Sequence, residues 1–591
     1  MVKKAGQQKG NNRLKSLIGL LIGLFALIFV NIASDFWYTR FDLTEDKRFS
    51  ISEPSKNLLA SLDDRVYVEV FLQGQLPSNF KRLKNETENI LKEFNAAAGS
   101  RVEFVFTDPM QGTPQEQEAA YQSLLAYGLI PAELNVQESN SQITRTVFPG
   151  AIVSYKGRKW PVQLLDQSYG YQQITEDVIN ESTILLEYKF ANAILNLTLP
   201  QAPKIAIIKG HGELDDRNLS DIGYTLSNKF YRLEQVDLST MRSADDILSF
   251  LETTDLAIIA KPTSAMSNEE KLIIDQFVMY GGKLLWFVEL VDADINDVIR
   301  NRISTAVPID LGIDDLLFTY GVRIEQDLIQ DLARKELISV PEFLVTGDTS
   351  GIVDLSQVKY GTYPFLFYPL LSGNPNHVVT KNIDYVYGRF VNTIDTSIRT
   401  EGIKKTVLLN SSELSRSLLT PTRLFFDNLE MDQDPARFTQ GPLAAAVLLE
   451  GVFTSTYKYQ LELQDDPEGI LKVESPENRM IIVADGDVIS NDVYIDEDNN
   501  ERIAPLGGSN VTGEIYDNKS FILNSIEFLL DDSGIVETKR KEFKIRLLNW
   551  SKVFQERSKW RMINVVLPIL IVILFGLAYN GIRWYRFGRS S

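Results

Sequence analysis

Two uncharged apolar segments, one near each end of the chain, constrain the fold more than any other feature of this sequence. The first covers residues 17–33 and the second residues 562–582. As α-helices they would reach about 26 Å and about 31 Å, close to the hydrocarbon thickness of a bilayer. We therefore predict two transmembrane helices that hold the large central body at a membrane by both of its ends. A cleaved signal peptide is the alternative for the first segment, but its apolar run is longer than a typical signal core.

Basic residues flank both segments and predict the orientation. The tails 1–16 and 583–591 contain five and three basic residues and no acidic residue. Because cytoplasmic flanks carry an excess of lysine and arginine, we expect both tails in the cytoplasm and the body outside it.

Charge and cysteine content exclude several classes of function. The net charge is −19, and residues 17–538 carry −34 because both terminal segments are basic. A body this acidic is not expected to bind nucleic acid by electrostatic attraction. The chain has no cysteine, which excludes disulfides and thiolate catalysis.

The central body reads as α/β, in two domains. Residues 42–200 form the first, in which strands at 66–72 and 102–106 flank a helix at 80–98. Residues 201–535 alternate strands and helices, which predicts a Rossmann-like parallel sheet. An insertion with irregular, proline-marked segments is expected at 330–475, after which the strand at 480–484 completes the same sheet.

Several short motifs, in their order and spacing, carry a resemblance to a known family. They are Asp42-Leu43-Thr44, Phe49-Ser50-Ile51-Ser52, the strand that begins at Val66, Gly210-His211-Gly212-Glu213, Tyr320-Gly321-Val322 with Asp327, the run Phe365 to Leu370, Asp485-Gly486-Asp487 before Asn491, and Trp560. Along its whole length the chain resembles the GldG family, the gliding-motility-associated ABC transporter auxiliary (so-called substrate-binding) membrane proteins of Bacteroidetes.

The resemblance implies a non-catalytic subunit of the bacterial inner membrane with a periplasmic body. It implies that such a subunit works with an ABC-type permease and a separate cytoplasmic ATPase, in association with gliding motility and its secretion machinery. The rival interpretation is a membrane-tethered ligand-binding protein or hydrolase that uses a crevice near His211.

The sequence offers no nucleotide-binding loop of the usual form. Its nearest match to Gly-x-x-x-x-Gly-Lys-Ser/Thr is Gly513 to Ser520, where Asn518 replaces the second glycine. We interpret this match as coincidence, with Asn518 starting a helix. ATP hydrolysis would then belong to a partner chain, and no cofactor is expected.

The best candidate for a ligand or partner crevice is Gly210, His211, Gly212 and Glu213. These residues follow the first predicted strand of the second domain, where open α/β sheets bind ligands, and the glycines permit close backbone approach. A packed loop or partner contact, a small-ligand site and proton transfer all remain open. No Gly-x-Ser-x-Gly elbow or His-Glu-x-x-His motif accompanies them.

Asp485 and Asp487 follow a later strand and extend this candidate site. Carboxylates suit calcium or magnesium, but the twelve-residue calcium-loop spacing is missing, so a solvated acidic turn is the alternative and no metal is predicted. If His211 and Asp485 end neighbouring strands, they border one crevice.

Two segments are predicted to act at the membrane. Residues 539–561 place aromatic and basic side chains at helical spacing, which indicates either an interfacial helix or an elbow that contacts a permease. Gly19 and Gly23 form a Gly-x-x-x-Gly pair in the first apolar segment, a candidate face for dimerisation or permease docking.

Overall fold

A computed structural model describes the chain in two compact units, Met1–Arg48 with Glu542–Ser591, and Phe49–Lys541. The described residues of the second unit are 50–540, with gaps at 75, 139–140, 166–173, 230, 242, 302, 344–358, 427–433, 462–470 and 496–499. In the first unit they are 19–20, 22–25, 29 and 550–587.

The first domain is a four-stranded mixed sheet with helices. Its elements are α1 Glu53–Ala60, β1 Val66–Val70, α2 Ser78–Ala97, β2 Val102–Phe106, α3 Pro114–Ala126, β3 Ala132–Glu138, β4 Ser141–Val147, β5 Gly150–Tyr155, β6 Arg158–Gln163, α4 Glu176–Ile184 and α5 Leu186–Thr198. The sheet order is β2-β1-β5-β6, in which β1 and β2 are parallel and the other neighbours antiparallel. β3 and β4 form a separate hairpin.

Apolar spacing explains why α2 forms and how it packs. Phe80, Leu83, Leu91 and Phe94 recur at helical intervals and are fully buried, while the rest of the helix is largely polar. The predicted helix and the two strands that flank it are therefore present as a βαβ unit.

The second domain contains the remaining elements of this unit. As far as residue 324 they are β7 Lys204–Lys209, α6 Ser220–Asn228, β8 Arg232–Asp237, α7 Ala244–Thr253, β9 Leu256–Ala260, α8 Asn268–Met279, β10 Lys283–Phe287, β11 Val291–Asp292, α9 Ile295–Asn301, β12 Ile303–Pro308, α10 Asp314–Tyr320 and β13 Arg323–Ile324. They continue as β14 Asp327–Asp331, β15 Lys335–Pro341, β16 Tyr360–Gly373, β17 Tyr385–Tyr387, β18 Ile394–Asp395, β19 Ile403–Asn410, β20 Ser415–Leu419, β21 Thr422–Phe425, β22 Ala444–Thr454, α11 Lys458–Leu461, β23 Glu474–Val483, β24 Val493–Ile495, β25 Glu501–Ile503 and α12 Asn518–Leu530.

One large sheet organises this domain, in the order β15-β16-β19-β22-β23-β10-β9-β7-β8. The five strands β8-β7-β9-β10-β23 are parallel, and β23 joins β10 with Leu284 opposite Met480, so the late apolar strand completes the sheet as the sequence predicts. The stretch predicted as an irregular insertion instead supplies antiparallel strands that extend this sheet from β22 outward.

The parallel strands are buried because apolar helices cover both faces. Ile222 of α6 and Phe521 of α12 belong to the apolar core on one face, whereas Phe250 of α7 and Phe277 of α8 belong to the core on the other. Such two-sided burial explains why β9 and β10 read as continuous apolar runs.

A buried carboxylate on α12 joins the two domains. Glu527 accepts a hydrogen bond from the Tyr188 hydroxyl of α5 at 2.6 Å and pairs with Lys229 and Lys539, each at 2.8 Å. Burial alone would raise the pKa of Glu527, but the two ammonium groups hold it well below its usual range.

The other unit contains one long helix, α13 Trp550–Phe587. The apolar stretch within Glu556–Tyr585 has a mean hydropathy of 2.5 and is not buried, and among the described residues this is the one helix long and apolar enough to cross a membrane. The second predicted span and the end of the predicted juxtamembrane segment are therefore parts of one continuous helix. Most of the first predicted span, residues 17–33, lies outside the described residues.

Candidate functional site

The carboxyl ends of β7, β9, β10 and β23 lie at one edge of the large sheet, because these strands are parallel. The residues that follow them along this edge include His211, Lys261, Glu289 and Asp485, all largely buried. Ligands of open α/β sheets bind at this kind of edge, so the geometry here decides what the domain can do chemically.

His211 is held between two carboxylates in the loop after β7. Its Nδ1 lies 3.3 Å from Glu213 Oε1 and its Nε2 lies 3.1 Å from Glu270 Oε2 at the start of α8, while its backbone N–H donates to Glu213. The residue is 3 % exposed. Both ring nitrogens thus already face partners within the chain.

The glycines of this loop meet steric demands as well as conformational ones. Gly210 has φ +119°, and a Cβ there would lie 2.7 Å from Asp237 Oδ1. Gly212 has φ +74°, and its Cβ would collide with the Thr263 hydroxyl. The close backbone approach expected from the sequence is therefore made to neighbouring loops of the same chain.

A second cluster joins the ends of β9, β10 and β23. The Lys261 ammonium lies 2.6 Å from Asp487 Oδ1 and 3.1 Å from Glu289 Oε1. Asp485 is fully buried and accepts the Asp487 N–H at 2.8 Å. Oxygens of the three carboxyl groups lie within 4.8 Å of one another. The alternative of a solvated acidic turn does not apply to Asp485.

Burial and mutual repulsion separate the acidities of these groups. Burial, reinforced by the Asp487 charge, raises the pKa of Asp485 to about 7 and that of Glu289 well above its usual range. Burial would also raise the pKa of Asp487, but Lys261 and then Arg389 hold it below its usual value. At neutral pH the cluster is therefore poised to hold a proton.

A segment of the insertion, residues 388–392, covers this edge. The Arg389 N–H donates to Asp485 Oδ2 at 2.8 Å, and the Asn392 N–H donates to the Ala484 carbonyl at 2.9 Å. The Asn392 side-chain oxygen accepts the Leu290 N–H at 2.8 Å. The chain itself thus occupies the position where a ligand would meet the ends of β10 and β23.

Arg389 fixes this segment to the acidic loop beyond β23. Its guanidinium makes a two-pronged pair with Asp492, at 2.6 and 2.5 Å, and lies 4.9 Å from the Tyr387 ring centroid. A planar guanidinium suits both contacts. Sequence reasoning missed Arg389, Lys261 and Glu289, because each is an isolated charged residue that becomes informative only beside Asp485.

The loop after β9, which contains Lys261, and the loop after β23, which contains Gly486, approach each other closely. Lys261 and Phe390 have φ of +56° and +50°, a region that non-glycine residues rarely occupy. A Cβ on Gly486 would lie 2.5 Å from Lys261 Cγ. The two loops therefore pack without space for a side chain between them.

The predicted site residues fall into two groups. Gly210, His211, Gly212 and Glu213 lie together after β7, and Asp485 and Asp487 lie together after β23. β9 and β10 separate these two strands, so His211 and Asp485 share an edge without ending neighbouring strands. A cation at the second group would have to displace the Lys261 ammonium, which already neutralises it.

The nearest match to a nucleotide-binding loop, Gly513 to Ser520, has structural partners within the chain, whereas the Gly19 and Gly23 pair shows none among the described residues. In this segment, Lys519 pairs with Asp221 at 2.5 Å. Asn518 begins α12 as predicted, and its side chain is hydrogen-bonded to the Tyr387 backbone. Gly19 and Gly23 lie in described helical residues, with no atom within 4 Å of an added Cβ.

Comparison with known proteins identifies the class. A family described as an ABC-type uncharacterized transport system matches residues 202–525, more than half of the chain, and this chain belongs to that ABC transport auxiliary family. The match spans the large sheet and its covering segment. A domain of unknown function matches residues 45–154, within the first domain.

Two further likenesses complete the comparison. An uncharacterized protein of Borreliella burgdorferi is 22% identical over 583 residues, which cover 97% of this chain and 98% of that protein. The solved mmIFT52 N-terminal domain aligns over 55% of this chain and 96% of its own, at 11% identity and a TM-score of 0.30.

Proposed function

We propose that this protein is a non-catalytic, membrane-anchored subunit of an ABC-type transport complex, which couples a permease and a separate cytoplasmic ATPase to a periplasmic partner. The family match carries the proposal, because it names a transport system and covers the largest folded domain. The apolar helix Glu556–Tyr585 supplies a means of anchoring. We also propose a Rossmann-like class for the large domain, supported by its parallel strands in the chain order 2-1-3-4-5.

The chemistry of the site supports a role without catalysis. Both nitrogens of His211 face carboxylates, and a segment of the chain covers the ends of β10 and β23. The rival function, a tethered hydrolase or ligand-binding protein that uses the His211 crevice, would require this loop to open. No described feature favours such an opening.

The finer parts of the proposal rest on the sequence. A two-pass topology in the bacterial inner membrane with both termini in the cytoplasm follows from the basic tails. The association with gliding motility and its secretion machinery follows from the resemblance to GldG. A contact of Gly19 and Gly23 with the permease, or with a second copy of this chain, follows from their spacing.

Purification from membranes in mild detergent tests the transport assignment. We expect a permease and an ATPase subunit to co-purify, and ATPase activity to survive Lys519→Ala. Replacing both Gly19 and Gly23 by Leu should reduce the yield of permease, because bulk fills the face that permits close approach. The matched control replaces Leu20 and Leu24, on the same helix, by Ala. Co-purification of no transport subunit would contradict the proposal.

A further inference from the structure

Both ends of the central body pack against one helix of the first domain, α5. The entry segment, residues 50–55, follows the first predicted membrane span along the chain, and the exit segment, residues 531–539, precedes α13. Glu187 contacts the entry segment, and Tyr188 contacts the exit segment. These two residues are neighbours in the first turn of α5. The chain therefore enters and leaves the body at one place.

A buried carboxylate holds the entry segment. Glu187 Oε1 accepts the Ser52 backbone N–H at 2.7 Å and the Ser55 hydroxyl at 2.8 Å. Glu187 is 3 % exposed, and Ser55 is fully buried. The Ser52 hydroxyl in turn accepts the Ser55 backbone N–H and caps α1. Because a buried donor left without an acceptor is costly, Glu187 fixes the start of α1 to the start of α5.

A buried ammonium group holds the exit segment. The Nζ atom of Lys539 donates to Glu527 Oε2 and Asn524 Oδ1 of α12, each at 2.8 Å, and lies 4.2 Å from the Tyr188 ring centroid. The Tyr188 hydroxyl donates to the same oxygen of Glu527 at 2.6 Å. An ammonium group over an aromatic face is held more strongly where water is excluded, and the Lys539 side chain is 12 % exposed. Lys539 thus ties the exit segment to a helix of each domain.

The two segments also lie beside each other. Gly534 has φ +75°, and a Cβ at this position would lie 3.7 Å from Pro54 Cγ, which is van der Waals contact. Asp531 Oδ2 accepts the Val536 N–H at 2.6 Å and sets the turn between them. Val536 and Ile51 are buried in the same apolar core, which also contains residues of α5. Polar and apolar contacts thus join the entry segment, the exit segment and α5 into one junction.

We propose that this junction couples the entry segment to the exit segment, so that displacement of either one loosens the other and shifts both domains together. Helix α5 packs on β5 and β6 of the first domain, whereas α12 packs on the large sheet of the second. A displacement of the exit segment would therefore pass through Lys539 to α12 and through Tyr188 to α5, where Glu187 holds the entry segment. The role of this coupling in transport rests on the proposed function, but the coupling itself does not.

Physical continuity distinguishes coupling from two separate attachments. The two segments lie at opposite ends of the body's sequence, yet Glu187 and Tyr188, which hold them, are consecutive residues of one helix. Energetic coupling passes through packed side chains and rigid elements that connect two sites. Two separate attachments would instead respond independently, because changes at sites without shared partners are additive. Coupling therefore predicts that a change in the exit segment alters the entry segment, and the reverse.

Hydrogen–deuterium exchange of the full-length protein in detergent, followed by mass spectrometry, tests this coupling. Lys539→Met should speed amide exchange about fivefold in α1, which begins in the entry segment, as well as in the exit segment. Glu187→Ala should do the same in the exit segment, and Glu187→Gln, which keeps the accepting oxygen, should restore most of the protection. Lys283→Met is the matched control, because Lys283 of β10 lies 3.8 Å from Asp532 of the exit segment, outside the junction. It should leave exchange in α1 unchanged.

Lys539→Arg keeps the test decisive if Lys539→Met unfolds the domain, which faster exchange in the buried strand β9 would report. Arginine keeps the charge, but its planar guanidinium cannot repeat the geometry of the ammonium group, so we expect a smaller acceleration in both segments. Faster exchange confined to the exit segment in the Lys539 variants, or to the entry segment in Glu187→Ala, would overturn the proposal. None of these outcomes requires a transport subunit, so the coupling and the transport assignment can fail separately.

Discussion

The two domains each have an edge where parallel strands end, and the two edges differ in what occupies them. In the second domain, Lys261 lies between Asp487 and Glu289, and the segment 388–392 covers the strand ends. In the first domain, a cavity with one charged residue, Asp108, remains at the ends of β1 and β2. The edge where parallel strands end is thus closed by the chain's own charged residues in the second domain and left open in the first.

This difference indicates where to look for ligands. Parallel strand ends are common binding positions, but a ligand needs side chains that the protein has not already paired. The edge matched by the transport family uses its polar groups to hold loops together. The edge in the domain of unknown function leaves a cavity beside the Asp108 carboxylate instead.

The largest expected effect comes from removing the cation of the closed edge. Lys261→Met should lower the free energy of unfolding by about 3 kcal/mol, because it leaves Asp487 and Glu289 without their partner in a buried place. Chemical denaturation of the full chain in detergent measures the change. Met retains the length of the side chain and the same backbone conformation.

Lys404→Met is the matched control for this prediction. Lys404 pairs with Glu450 at 2.7 Å across two strands of the same sheet, but its side chain is 71 % exposed. Water screens such a pair, so the control should change stability little. Equal losses in the two variants would mean that the closed edge is no more dependent on its charges than the surface.

A smaller effect is expected in the pH dependence of stability. The pKa of Asp485 is raised to about 7 in the folded protein, from a value of 3.8 when unperturbed. Between these values the folded state keeps a proton that the unfolded state has lost. This group's contribution to stability therefore falls as pH rises from about 4 to 7, by at most about 1.4 kcal/mol per pH unit.

Asp485→Asn should remove this slope. Its one amide oxygen can replace only one of the two carboxylate oxygens that accept the Arg389 and Asp487 N–H groups, so we also expect a loss of stability that does not depend on pH. Thermal unfolding at several pH values measures both effects. Glu527 provides the opposite case, because Lys229 and Lys539 lower the pKa of this carboxyl group in the folded protein. The contribution of Glu527 to stability is therefore lost as pH falls below about 4.5, the pKa of the group in the unfolded chain. If Asp485→Asn steepens the loss of stability above pH 5, the assigned ionisation is wrong.

The smallest effect concerns the open edge. Gly74→Ala should cost about 1–2 kcal/mol, because it strains the positive φ and presses on the Asp108 carboxylate. Gly99→Ala has a positive φ but nothing within 4 Å of its Cβ, so it reports the backbone strain with no contact. Adding Asp108→Ala should relieve part of the Gly74→Ala loss, which a double-mutant cycle detects. No relief would show that Asp108 does not approach Gly74.

Local patterns sufficed for much of the fold. The apolar runs of β9, β10 and β23 and the helical spacing in α2 appear in the sequence because neighbouring residues alone produce them. The same reasoning missed the hairpin of β3 and β4 and most strands of the insertion. The hairpin was missed although Ala132, Leu134 and Val136 of β3 alternate with polar residues. The strands of the insertion pair with neighbours that are distant in the chain, which local patterns do not reveal.

The sequence located some members of both clusters at the candidate site, the one around His211 and the one around Asp485. Glycines around His211 and the Asp485-Gly486-Asp487 turn are visible as motifs after apolar strands. Glu270, Lys261 and Glu289 are not, because each becomes a partner only when the strand order is known.

The sequence by itself determined that this chain has an acidic α/β body, apolar terminal segments and no thiol chemistry, since these follow from composition and local order. Only the tertiary structure decided that β9 and β10 separate His211 from Asp485, and that the segment 388–392 covers the ends of β10 and β23. It also decided that Gly74 and Asp108 meet at a cavity. Such contacts join residues far apart in the chain, and their formation depends on the packing of the whole fold rather than on any local preference.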